Sequence, residues 1–257
     1  MTRSVFLILF QSILVNAFSQ LQPVASGVYH LQDLAVKKEE GRESRRIMEG
    51  TTNEFEYFEI HLTTQQKGAK PKPAYAVKDG EELIIIKEGT MKLVVGNRTA
   101  EVNAGSIALI PPQVMQSNQN IGDGPLSYYV LKFRSKKPVN MLRSDSAGGT
   151  LLINDDTLKV ATVAKGATIK YFDRATAMCD NYEMHVTKLI HKGPSHNPHQ
   201  HLATEIILIT EGDVEMTIDG QHYTGTAGDL FIVESGLMHG VGNASEKPCA
   251  YFAFKWR

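Results

Sequence analysis

Apolar and polar residues alternate along Asp213-Val-Glu-Met-Thr-Ile218, a period of two that argues for a strand with one buried face. Other runs, at Glu56–Thr63, Leu83–Lys87, Met91–Val95, Ser106–Ile110 and Ser127–Phe133, are rich in β-branched and aromatic residues. Glycine or polar turns such as Lys87-Glu-Gly89, Asn103-Ala-Gly105 and Asp219-Gly220 separate them. No segment carries a convincing helical stripe. Many short strands at regular spacing predict an all-β chain folded as a sandwich or closed barrel.

The first residues follow a different pattern. Arg3 precedes an apolar run from Val5 to Val15, broken by Gln11 and Ser12, and then Ala17-Phe18-Ser19 places small residues where a signal peptidase reads. The run is far short of the roughly 20 residues that span a bilayer, and no comparable run recurs. Residues 1–19 therefore read as a cleaved secretory signal, with a mature chain starting near Gln20 in a secreted or periplasmic setting and no membrane span.

Internal repetition organises the rest. Glu82–Arg134 lies on Glu205–Arg257 without a gap: Glu82-Leu-Ile-Ile-Ile-Lys-Glu-Gly89 falls on Glu205-Ile-Ile-Leu-Ile-Thr-Glu-Gly212, and Ala104-Gly105, Asn120 and Pro125 on Ala227-Gly228, Asn243 and Pro248. Upstream, Glu59-Ile-His61 resembles Glu183-Met-His185. The chain is thus expected to be two copies of one domain, 20–140 and 141–257, joined near Ser135–Gly149; it would be a monomer with an internal pseudo-dimer, or a homodimer.

Composition narrows the partners. With 27 Lys plus Arg against 28 Asp plus Glu and a formal net charge of −1, the chain has no field with which to neutralise a nucleic-acid backbone. A small molecule is the expected ligand. Two cysteines, Cys179 and Cys249, lack the spacing of a cysteine-based zinc site, although outside the cytoplasm they have the opportunity to pair.

The second copy carries the chemistry. In Gly193-Pro-Ser-His196-Asn-Pro-His199-Gln-His201-Leu-Ala-Thr-Glu205, histidines at i and i+2 on extended chain project to one face, and a carboxylate arrives four residues on. His239 follows Gly228 and Gly236. This arrangement resembles the two signature motifs of the cupin superfamily: His-x-His, three residues, Glu, six residues and Gly212, then Gly228, Gly236, His239 and Asn243. Glu234 departs from the second motif, which usually has proline there, as copy one has with Pro111. The resemblance implies two tandem jelly-roll β-barrels, a bicupin, with metal ligands His199, His201, Glu205 and His239. Three imidazoles and a carboxylate suit one divalent transition metal, Mn, Fe, Ni, Zn, Co or Cu, with coordination positions left for water or substrate.

The first copy lacks that set. Continuing the ungapped register upstream puts Ala76, Lys78 and Gln116 at the positions of His199, His201 and His239 and retains only Glu82. A Lys78–Glu82 ion pair is then expected to replace the metal's attraction for the carboxylate. Arg42, Arg45 and Arg46 form a basic run that can face an anion or simply solvent. Cupins with this ligand set include dioxygenases, oxalate-degrading enzymes, isomerases, lyases and non-catalytic binders, and no motif selects among them. An enzyme acting on a small polar molecule such as a sugar acid is the preferred reading; an Fe or Cu dioxygenase and a non-catalytic sugar or small-molecule binder are the alternatives. Glu234, His196, His185 and Tyr251 are the candidates for moving a proton, while His191 and His222 read as surface positions.

Overall fold

The computed structural model describes residues 21–257, and the segment read as a signal peptide lies outside them. Every strand pair is antiparallel, and four sheets form two barrels. In the first barrel a seven-stranded sheet in the order Leu151–Ile153, Ile107–Ile110, Glu81–Glu88, Leu126–Ser135, Phe55–Gln65, Arg42–Gly50 and Lys37–Glu39 faces a three-stranded sheet of Arg98–Asn103, Thr90–Val95 and Gln116–Asn120. The second barrel repeats this: Gly27–Tyr29, Leu230–Val233, Thr204–Glu211, Cys249–Trp256, Tyr182–Leu189, Gly166–Arg174 and Val160–Val163 face Gly193–Pro194, His239–Asn243, Asp213–Ile218 and Gln221–Thr226. This all-β, jelly-roll architecture is the one expected from the strand pattern.

Strand parity explains the unbroken apolar runs. In Thr204–Glu211, Ile207 and Ile209 point into the barrel with Val214, Met216 and Phe231, while Ile206 and Leu208 point the other way. The same division separates Ile84 and Ile86 from Leu83 and Ile85 in the first barrel. The outward-facing residues of both seven-stranded sheets form one shared core. There Trp256 packs against Phe55 and Phe58 with ring centroids 5.2 Å apart in both cases, and Phe133 meets Tyr182 edge-on at 5.6 Å. A sheet buried on both faces has no polar face to display, so its central strands lose the alternation seen in Asp213–Ile218.

Polar groups inside this layer are satisfied across it. Glu54 accepts bonds from Thr204 Oγ1 at 2.9 Å and Trp256 Nε1 at 3.1 Å. Glu81 accepts from the Thr176 hydroxyl and from the backbone N–H groups of Ala177 and Met178. Cys179 lies in the shared core and Cys249 in the second barrel's interior; both are free.

Each copy also lends a strand to the other. Gly27–Tyr29 pairs with Leu230–Val233 of the second barrel, and Leu151–Ile153 pairs with Ile107–Ile110 of the first. The linker folds into a short helix, Met141–Ser146, capped by the Asn140 side chain, which accepts from Arg143 N at 2.9 Å. The repeat's identical glycines have a steric origin: Gly89 and Gly212 adopt φ +84° and +70°, and a Cβ there would lie 2.5 and 2.4 Å from the carbonyl oxygens of Pro125 and Pro248. Among the described residues no helix is long and apolar enough to cross a membrane.

A common core predicts joint unfolding. Trp256, the one tryptophan of the chain, should report the same denaturant transition as far-UV circular dichroism. Phe133→Ala should lower stability by about 3–5 kcal/mol while keeping that transition single. Separate fluorescence and dichroism midpoints would show that the barrels are energetically independent.

Candidate metal centre

His199 and His239 meet because the chain bridges there: each backbone N–H donates to the other's carbonyl, at 2.9 and 2.8 Å. Their rings lie 4.6 Å apart between centroids, and His201, two residues along the extended chain, projects to the same side with its ring 5.2 Å from His199 and 4.9 Å from His239. One ring nitrogen from each histidine lies within 4.8 Å of the others. Glu205, on the barrel-facing side of Thr204–Glu211, brings Oε2 to 3.3 Å from His201 Nε2 and 3.0 Å from His239 Nε2.

Tautomers follow from the second nitrogens. His201 Nδ1–H donates to the Ala203 carbonyl at 3.0 Å, and His239 Nδ1–H donates to the Leu237 carbonyl at 2.8 Å. With the proton on Nδ1, a neutral ring turns a bare Nε2 lone pair toward Glu205. Lone pair facing carboxylate is favourable only when the ring is protonated or a cation joins the group. His199 Nδ1 is buried with no hydrogen-bond partner. Burial acts to raise the Glu205 pKa, but the bonds from His201 and His239 outweigh it and hold the carboxyl well below its usual range. Burial lowers His199, helped by the neighbouring histidines; for His239 the Glu205 contact and the Leu237 bond overcome burial and raise it. The donor set fits a divalent cation.

The four candidate proton-moving groups are spread around this cluster. His196 is exposed, with its ring 4.6 Å from that of His199. His185 and Tyr251 lie on the barrel-facing sides of adjacent strands, two residues apart in register, since His185 pairs with Ala253 and Thr187 with Tyr251. Burial lowers the His185 pKa and pushes Tyr251 up to about 12. Glu234 lies in the turn after Leu230–Val233, where its backbone N–H bonds to Ser26 Oγ, and no hydrogen bond joins its side chain to the cluster.

The first barrel corrects the sequence register. Tyr75, not Ala76, bridges Gln116 as His199 bridges His239, and Gln113 N donates to the Val77 carbonyl as Gly236 N does to that of His201. The positions of His199 and His201 are therefore held by Tyr75 and Val77. One extra residue precedes Glu82, and a shift of one residue turns each side chain to the opposite face. Lys78 is exposed and forms no pair with Glu82. Instead Glu82, fully buried, accepts from the Tyr75 hydroxyl at 3.0 Å and from Gln116 Nε2, with Lys132 Nζ 3.5 Å away. Sequence reading missed Tyr75 and Lys132; the identity of Lys132 with Lys255 in the repeat was the available signal for the second.

The exchange has a measurable form. Tyr75→Phe should cost about 1–3 kcal/mol by removing a donor from a buried carboxylate, whereas Lys78→Met should stay within about 0.5 kcal/mol. Urea unfolding of both variants distinguishes this arrangement from a Lys78–Glu82 pair, which requires the reverse order.

Residues 186–255 match the Cupin domain family (Cupin_2), and residues 67–164 match the AraC-like ligand binding domain family. No curated protein matches the chain by sequence. Among solved structures, AerE from Microcystis aeruginosa is similar at TM-score 0.69 and 13% identity, with 91% of this chain and 100% of that chain covered. Protein Ylba from E. coli is similar at 0.69 and 14%, covering 93% and 95%. The Bacillus subtilis oxalate decarboxylase, in a structure concerned with its Mn(II) centres, is similar at 0.66 and 14%, covering 90% and 77%. The two domain matches thus fall one on each barrel, residues 186–255 on a cupin domain and 67–164 on an AraC-like ligand binding domain, and the solved neighbours share the fold.

Proposed function

We propose that the chain holds one divalent transition metal through His199, His201, Glu205 and His239, and that it is an enzyme acting on a small polar molecule, a sugar acid or another carboxylate, by isomerisation, lysis or hydrolysis. The carrying observation is the pair of rings whose Nδ1 atoms are committed to backbone carbonyls while both Nε2 atoms converge on one carboxylate oxygen. A bound ion of this class polarises a carbonyl, carboxylate or hydroxyl oxygen. The metal reading gains support from a fold neighbour with Mn(II) centres.

The chain's own residues supply proton traffic. Tyr251, pushed up to about 12 by burial, keeps its proton at neutral pH, and His185, lowered by burial, stays neutral; both face the barrel and are the inward candidates for moving a proton. The exposed His196 is placed to meet a molecule arriving beside His199. Glu234 is the weakest of the four candidates, because its turn commits its backbone to Ser26 and brings no carboxylate contact to the histidines.

Elemental analysis of purified protein should find one equivalent of a divalent metal, lost in His201→Ala with the cooperative unfolding transition retained. Metal-free wild-type protein, or a His201→Ala chain that no longer folds, would overturn the catalytic-metal reading. Turnover of uronates or keto acids at equal rates under air and nitrogen is the expected activity result. Oxygen consumption would convert the assignment to a dioxygenase, and binding without turnover would convert it to a binding protein.

We also propose export through residues 1–19, on the sequence pattern described above. N-terminal sequencing of exported protein should place cleavage between residues 17 and 22; a cytoplasmic chain that keeps Met1 contradicts it.

A further inference from the structure

The first barrel, which lacks the histidines, contains a cavity of 230 Å³. Its lining includes Arg42, Lys72 and Lys132 together with the polar groups of Ser117, Asn118 and Tyr128. No carboxylate lines this inner space. It opens through Arg42, His61, Lys72 and Lys132, shared by both, into a wider cavity of 670 Å³. The acidic lining of the wider part is Glu39, Glu43 and Glu59, where Lys37 and Arg46 offset it and Glu59 contacts His61 at 3.0 Å. Positive charge therefore concentrates at the inner end.

Two of the cations have carboxylate neighbours at the edge of hydrogen-bond range: Lys132 is 3.5 Å from Glu82 and Lys72 is 3.6 Å from Glu39. Arg42 has none within ion-pair distance among the described residues. Its Nη2 donates to the Lys70 carbonyl at 2.5 Å, and its Nε is buried without a partner. A buried guanidinium N–H left open beside a cavity is costly unless something accepts it. Asn118 is held by bonds that all fall on its Oδ1, from Gln65 Nε2 at 2.6 Å and the Tyr128 hydroxyl at 3.2 Å. Its amide nitrogen remains a donor.

Comparison with the second barrel separates the groups the two share, Tyr128 and Lys132 matching Tyr251 and Lys255, from those that belong to the first alone. Arg42 pairs with Gln65 where Gly166 pairs with Leu189 in the repeat, and Asn118 occupies the position of Val241. A barrel that had merely lost a metal would need none of these three polar replacements. They build donors around the space next to Glu82, whose own charge is already satisfied by Tyr75, Gln116 and Lys132.

We infer that the first barrel is a metal-free binding site for a small hydroxylated carboxylate. Arg42, with Lys72 and Lys132, receives the carboxylate, and Asn118, Ser117 and Tyr128 meet the hydroxyls. The inner cavity of 230 Å³ continues into the wider one of 670 Å³, so a compound the size of an aldonate or uronate fits with its carboxylate end inward. This site does not depend on the metal reading of the second barrel.

The full-length chain carrying His201→Ala isolates the site from the metal centre. Isothermal titration with glucuronate, gluconate and tartrate, and with glucose as the neutral control, should show one equivalent of at least one carboxylate and at least tenfold weaker binding of glucose. Adding Arg42→Gln should weaken that carboxylate at least tenfold, and Lys72→Gln, an exposed side chain, should weaken it by a smaller factor while thermal unfolding stays unchanged. Four results would overturn the inference: no carboxylate binding at millimolar concentration, glucose binding equal to the carboxylates, unaltered affinity in a folded Arg42→Gln chain, or binding present in the wild type and absent from the His201→Ala chain.

Discussion

The apolar layer between the two seven-stranded sheets decides the orientation of the buried carboxylate in each barrel. Once Leu83, Ile85, Ile206 and Leu208 are committed to that layer, the alternation of the strand sends Glu82 and Glu205 inward. The same commitment of Phe133 and Trp256 turns Lys132 and Lys255 toward their barrels. A residue's chemistry here is thus set by parity relative to a hydrophobic interface, and the energy that enforces it is the burial of the aromatic cluster around Trp256.

Within that frame the two carboxylates meet the same physical demand in different ways. Each is a charge withdrawn from water and needs partners that outweigh desolvation. Glu205 gathers two imidazoles whose other nitrogens are anchored to carbonyls, an arrangement open to a cation. Glu82 gathers a phenol, an amide and an ammonium, which close the position to a metal by occupying the carboxylate's acceptor sites with protons. Retention of a glutamate therefore says little about retention of an ion; the identity of the donors around it decides.

The fold class and the histidine cluster were legible from sequence because both depend on local period. His199 and His201 are two residues apart on extended chain, and His239 was joined to them by the resemblance of Gly228, Gly236 and His239 to a second cupin motif. What failed was the register upstream of Glu82. One added residue between Val77 and Glu82 is invisible to residue types, yet it moved the expected partner from Tyr75 to Lys78. Double burial of the central strands also hid which of the consecutive isoleucines faced the barrel, since a run with no polar member carries no parity signal. The lent strands Gly27–Tyr29 and Leu151–Ile153 were unreadable for a different reason: nothing in three residues specifies which of two sheets of matching strand order they will join.

Those lent strands make the chain the covalent counterpart of an arm-exchanged symmetric dimer. In a true homodimer with this architecture, one codon governs both equivalent positions, so a substitution that removes a histidine from one barrel removes it from the other. Fusing the two copies lifts that coupling while the exchanged arms keep the halves in the same mutual orientation. Arg42 opposite Gly166 and Asn118 opposite Val241 are differences that only such a chain can hold at once. Asymmetry between the barrels is in this sense a property conferred by the linker Ser135–Gly149: a few residues of connecting chain allow one architecture to host two unlike interiors.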